Sequence, residues 1–208
     1  MKDFSVPMAL VDFIPVILFA VSTVVLQRDL YNKMSKGAFA LFSAGTIDVI
    51  CSGALKALYK LLYAAGICDF ERLNAMFFPV QSIGFLLAGL GIVAMLRHKQ
   101  GRSTAYSVAA PAVYSGTFLF VGLMVAGLGC MMAGLAIIAK RMKKNVVVIL
   151  FGVSFLCSLC MGYLSTKDFA QAAMNWLAEG INVVGQASLF LGVWSLHKAG
   201  LGLQADLR

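Results

Sequence analysis

Acidic side chains are scarce in this chain, with 9 Asp and Glu among 208 residues, and only 12% of all residues are charged. A soluble domain of this length would carry about a quarter charged residues, so a soluble globular fold is excluded. Histidine is nearly missing. His98 and His197 are the two present, each beside a Lys at the end of an apolar run, where a cation suits a helix C-terminus. Two such caps make no metal cluster. The 5 cysteines, Cys51, Cys68, Cys130, Cys157 and Cys160, are an odd set lying mostly inside apolar runs, which is no disulfide framework. Gly-x-Ser-x-Gly, His-Glu-x-x-His and phosphate-cradling glycine loops are all absent. No catalytic residue, cofactor or metal is therefore expected.

Hydrophobic residues are abundant, at 61% of the chain with a mean hydropathy of +0.88. That composition belongs to a polytopic membrane protein, an all-α helix bundle forming a single transmembrane domain over residues 1–208. A crossing of ~30 Å needs about 20 apolar residues. Five runs meet this: Met8 to Leu26, Ala38 to Gly66, Leu73 to Leu96, Val146 to Leu164 and Ala172 to Leu196. The first has its acids on the leading side, the reverse of a cleaved leader, and is expected to remain as a span. Ser103 to Ala139 would reach about 55 Å as one helix. The turn signal at Tyr114-Ser-Gly116 divides it into a short helix with Pro111 and a glycine-rich one, which brings the count to seven.

Charge supports seven. With the amino terminus outside and the carboxyl terminus cytoplasmic, the inner segments hold Arg28, Lys33, Lys36, Arg97, Lys99, Arg102, Lys140, Arg141, Lys143, Lys144, Lys198 and Arg208. The outer segments hold Lys2, Arg72 and Lys167. This is positive-inside orientation, and it accounts for the formal charge of +8 without a nucleic-acid partner.

The chain also repeats itself loosely. Asp69-Phe70 and Asp168-Phe169 precede spans three and seven, and His98-Lys99 and His197-Lys198 follow them. With a two-residue slip Asn74 answers Asn175, Pro79 answers Gly180 and Gln81 answers Asn182. Residues 8–97 then form a first three-helix bundle, 103–116 a linker helix and 117–197 a second bundle in parallel orientation. This 3+1+3 plan, with Leu26-Gln27 and Lys33-Met-Ser-Lys-Gly37, resembles the SWEET and PQ-loop transporters. Leu26 stands in place of that family's Pro, and Ala139 to Lys144 carries no Gln. Seven spans with the amino terminus outside also resemble opsins and G-protein-coupled receptors, although the last helix has no retinal Lys. What the SWEET likeness implies is alternating access at a midplane site.

Ionisable side chains inside a bilayer are costly and usually face protein or water. Asp12, Asp48, Lys56, Lys60 and Glu179 fall within spans. Asn175, Glu179, Asn182 and Gln186 share one face of the last helix at 100° per residue, which points either to interhelical hydrogen bonding or to a polar cavity. Asn74, Gln81, Asn175, Asn182 and Gln186 are candidate solute hydrogen-bonders, with Trp176 as an apolar wall. Glu179 and Asp48 are candidate proton or ion couplers, unless Asp48 is a buried carboxyl paired with Thr46. Lys56 and Lys60, with Tyr59 and Tyr63, read either as an interfacial turn of snorkelling lysines and belt tyrosines or, at Lys56, as an anion site. Gly122, Ala126, Cys130 and Gly134 form a small-residue ridge for close packing, while Pro15, Pro79 and Pro111 permit kinks.

The expected function is a multi-pass transporter of the plasma membrane for a small polar or charged solute. A receptor with the same cavity is the second reading. A membrane enzyme on lipid or quinone, using Cys157-Ser-Leu-Cys160, is the third and weaker one. The expected partners are the bilayer and a small molecule, with a second copy or separate subunits left open.

Overall fold

The computed structural model describes residues 5–97, 117–164 and 172–204. Among these, all regular structure is helical. The expected linker helix 103–116, Pro111, His98 and Asp168-Phe169 lie outside the described residues.

The first crossing is two helices, α1 (Val6–Val11) and α2 (Phe13–Leu30), broken at Asp12. Pro15 supplies the cause. It has no N–H for the carbonyl of Val11, and its ring crowds that carbonyl. The third crossing repeats the device, with α4 (Glu71–Ala75) and α5 (Phe77–Arg97) broken at Met76, three residues before Pro79. Between them runs α3 (Lys36–Ala64), started by Ser35, whose hydroxyl accepts from the Ala38 N–H at 3.2 Å. The remaining helices are α6 (Thr117–Arg141), α7 (Asn145–Leu164) and α8 (Ala172–Lys198). α3 ends on Gly66 at φ 68°, with the Ile67 and Gly66 amides donating back to Leu62 and Tyr63. This is a left-handed cap that favours glycine. α6 ends in the same way with Lys143 in that position.

Five helical segments are long and apolar enough to cross a membrane. α8, expected among the plainly apolar runs, has the length but falls outside that set. Its own polar residues, Asn175, Glu179, Asn182 and Gln186, lower its hydropathy, and the bundle shelters them. Each long helix packs on its neighbours in chain order and α8 returns to α2, so the helices close into a ring. The outer surface is greasy, as lipid requires. Leu10, Ile14, Ile17, Val21 and Val24 form an exposed stripe along α1 and α2, and Leu177, Val184 and Leu191 repeat every seven residues on α8. α8 therefore presents its apolar face outward and its polar face inward, the inverse of a soluble amphipathic helix.

Close approach at the centre depends on glycine. Gly45 of α3 and Gly84 of α5 face each other backbone to backbone, and a Cβ on Gly84 would stand 2.8 Å from the Gly45 carbonyl oxygen. Gly89 of α5 meets Gly127 of α6 in the same manner. Of the small-residue ridge expected on α6, Cys130 and Gly134 lie at this crossing, with a Cβ on Gly89 3.1 Å from the Cys130 Cβ and a Cβ on Gly134 meeting Ile92. Gly122 and Ala126 are exposed, and the closest backbone approach is made by Gly127, which is not part of the ridge.

One half of the ring is filled. Leu26, Phe42, Ile92, Leu135, Phe151 and Leu196 are fully buried in one core toward the end that holds Arg97, Lys140 and Lys198. At that end the chain folds back after α8 through Gly200, at φ 83°, into a turn at Leu201–Leu203. Leu201 is buried, and Lys33 Nζ donates to the carbonyl oxygens of Gly202 at 3.0 Å and Gln204 at 2.6 Å. His197, expected only to cap its helix, has Nδ1 2.9 Å from Asp29 Oδ2. A carboxylate only accepts, so the ring nitrogen donates, and α8 is tied to α2.

Candidate functional site

The other half of the ring is not filled. A cavity of about 460 Å3 opens there, lined from α2, α3, α4, α5, α6, α7 and α8. Phe19 and Phe85, edge to face at 5.8 Å, form part of its floor with Met124 and Leu128. Its size suits a metabolite rather than a bare ion.

Lys60 stands about 6 Å along the axis from the end of α3, four residues at 1.5 Å each. Its Nζ is 2.6 Å from Asp12 Oδ2 and 3.0 Å from Glu179 Oε1. All three side chains are buried. Each comes from a different element: Asp12 from the proline-induced break, Lys60 from α3 and Glu179 from the inner face of α8. Buried charges persist only when paired, and here one ammonium lies between two carboxyl groups that are also within hydrogen-bonding reach of each other.

Lys56, one turn earlier on α3, faces the same cavity. Its Nζ lies 3.9 Å from the centroid of the Phe77 ring, a cation–π contact. Among the described residues no carboxylate is within ion-pairing distance of it. The cavity thus holds two lysines and two acids, with Lys56 standing apart from the other three.

Among the described residues three buried acceptors on lining residues, Asp12 Oδ2, Glu179 Oε2 and Gln186 Oε1, have no hydrogen-bond partner, and of these Asp12 Oδ2 faces the Lys60 ammonium. Buried oxygens left this way are uncommon, and each calls for an explanation. Tyr59 OH donates to Asp69 Oδ1 at 3.2 Å and fastens the loop after α3 over this end of the ring.

Asn74, Gln81, Lys56, Asn175, Asn182, Gln186 and Glu179 all line this cavity. Trp176 does not. It is 46% exposed on the outer surface, because one residue beyond Asn175 turns it 100° off the polar face. Asp48 does not line it either. It stands at the α3–α5 crossing against Gly84, 80° to 120° around α3 from the two lysines by the same ~100° step. Nor does it pair with Thr46, whose hydroxyl is held by the carbonyls of Phe42 and Ser43 and by Gln27 Nε2 at 2.8 Å. Lys60 is buried and ion-paired, which removes the interfacial reading for that residue. Sequence reasoning noted Asp12 and Lys60 as ionisable residues within spans but gave Asp12 no role. The signal was charge arithmetic: a buried Lys needs an acid, and Asp12 lies at a proline break where a helix can turn a side chain inward.

No protein-family description, no curated protein and no solved structure matches this chain. The class of protein rests on its own geometry, a membrane helix ring with a charged cavity at one end and a packed core at the other.

Proposed function

We propose that this chain is a membrane transporter of a small polar or charged solute, working by alternating access in the plasma membrane. The observation that carries the reading is the cavity itself: four charged side chains and five amides converge inside a ring whose other half is sealed. A rigid structural bundle has no use for two unpartnered buried acceptors. Polar contacts near the α2–α8 seam fit the same reading. Asp12, Lys60 and Glu179 clasp the cavity end, while Asp29 with His197 and Lys33 with the Gly202 and Gln204 carbonyls clasp the other. Opening one clasp while the other holds would expose the cavity to one side at a time.

The finer topology belongs to this proposal: seven spans, amino terminus outside, carboxyl terminus cytoplasmic, and a 3+1+3 repeat of the SWEET and PQ-loop kind. On it the cavity faces outward, Asn74 and Gln81 oppose Asn175 and Asn182, and Glu179 is the coupling carboxylate. The packed inner half also suits a receptor, in which the cavity holds a ligand and the basic end meets a cytoplasmic partner.

Liposomes containing the protein, incubated with a defined metabolite mixture and washed, are expected to retain at least one small polar solute that empty liposomes do not. Glu179→Gln should lower that uptake by at least ten-fold. Identical contents in protein-containing and empty liposomes, measured by mass spectrometry, would overturn transport. Ligand-dependent thermal stabilisation without uptake would favour the receptor.

A further inference from the structure

We infer that the cavity binds a small zwitterion of the α-amino-acid class with an apolar side chain, its ammonium on Glu179 and Gln186 and its carboxylate on Lys56. The inference deepens the transport reading and rests on it only for the movement of that ligand.

Two unpartnered acceptors and one lysine without an acid beside it carry the inference. Within the trio, Lys60 is shared between Asp12 and Glu179, and among the described residues Glu179 Oε2 is buried without a hydrogen-bond partner. One turn away Lys56 carries a positive charge whose near neighbour is the Phe77 ring. A buried charge without a counter-ion is destabilising. A ligand with one charge of each sign satisfies both.

Other classes leave part of this unexplained. A simple anion would pair with Lys56 but face the spare carboxylate oxygen of Glu179. A simple amine would pair with Glu179 and leave Lys56 alone. A neutral sugar would use the amides and neither charge. Among the described residues no group of three or more His, Cys, Asp or Glu gathers to hold a metal ion.

The ammonium and carboxylate of an α-amino acid are two bonds apart, which suits groups one helical turn apart on α3 and the facing wall of α8. Gln186 Oε1, unpartnered among the described residues and two turns from Glu179, accepts a further ammonium hydrogen through a bridging water. The rest of the lining sets the side chain. Phe19, Phe77, Phe78, Phe85 and Met161 present aromatic and thioether surface to the cavity, and these favour an aliphatic or aromatic substituent over a charged one.

The test is calorimetric titration of the purified full-length protein in lipid nanodiscs with leucine and phenylalanine. Each is compared with its decarboxylated amine, 3-methylbutylamine or phenethylamine, and its deaminated acid, 4-methylpentanoate or 3-phenylpropanoate. At least one amino acid is expected to bind ten-fold or more tighter than both of its single-charge analogues. Lys56→Met should abolish the advantage over the amine, and Glu179→Gln the advantage over the acid. Because Glu179→Gln disturbs an ion-paired trio and can impair folding, Lys56→Met, which lies outside that trio, decides the matter alone. Binding of neither amino acid, equal binding of an analogue, or an unchanged preference in Lys56→Met would overturn the inference. Selective binding without liposome uptake would overturn transport and leave the zwitterion site standing. Uptake of a solute competed equally by amine, acid and amino acid would overturn the zwitterion site and leave transport standing.

Discussion

Asp12, Lys60 and Glu179 meet at 2.6 and 3.0 Å although they are separated by 48 and 119 residues. Removing the ammonium leaves two buried carboxylates beside each other without a cation, and breaking a buried charge pair in this way costs about 3–5 kcal/mol. Lys60→Met is therefore expected to lower the unfolding temperature sharply in a thermal scan in detergent. The triple variant Asp12→Asn, Lys60→Met, Glu179→Gln, which removes all three charges together, is expected to recover most of that loss. A triple variant no more stable than the single one would show that the trio is not an energetic unit. The inward face of α8 was legible in the sequence, because 175, 179, 182 and 186 follow the helical step. The identity of Glu179's partner was not, since three sequence-distant helices had to be placed side by side first. Trp176 shows the limit from the other direction: adjacency to a polar stripe in sequence is 100° of separation on a helix.

Helix positions were readable from apolar length, and two of the breaks were readable from proline. Asp12 and Met76 each precede a proline by three residues, as expected from a missing N–H and a displaced carbonyl. Helix-to-helix contacts were not readable. A small residue at fourfold spacing looks the same whether it faces a neighbour or lipid: Gly122 and Ala126 face outward, while Cys130 and Gly134 meet α5 beside Gly127. The structure separates the two kinds. At Gly84 an added methyl would press on the Gly45 backbone, so Gly84→Ala is expected to destabilise by about 1–3 kcal/mol through overpacking. At Gly180 a methyl meets nothing within 4 Å, and α8 runs through that position without interruption. Gly180→Ala is expected to stabilise the helix by about 0.5–1 kcal/mol. Unfolding of the two variants side by side in one detergent checks both, and equal shifts would contradict this account of the α3–α5 crossing.

Over the molecule as a whole, composition was sufficient for an all-helical bundle with an apolar exterior, and the exposed stripes on α2 and α8 agree with it. Sidedness is the next property to test. Cys68 lies exposed after α3, and Lys144 lies exposed between α6 and α7. In intact cells an impermeant maleimide is expected to label Cys68, whereas a thiol introduced by Lys144→Cys in a chain with Cys68→Ser should react only after permeabilisation. Labelling of both from outside would place the two loops on one side and reduce the span count to six.

The inverted character of α8 also bears on how the protein is made. Domains and segments emerge from the ribosome amino-terminal end first, so Asp12 and Lys60 are already in the membrane when the last helix is still unsynthesised. α8 is the long helix least suited by composition to leave the translocon for lipid unaided. Its insertion is favoured by what is waiting for it, a lysine already flanked by one acid, and an open gap between α2 and α7. Biogenesis would then end with a helix drawn in by its polar side, and the act that closes the ring would be the same act that completes the cavity.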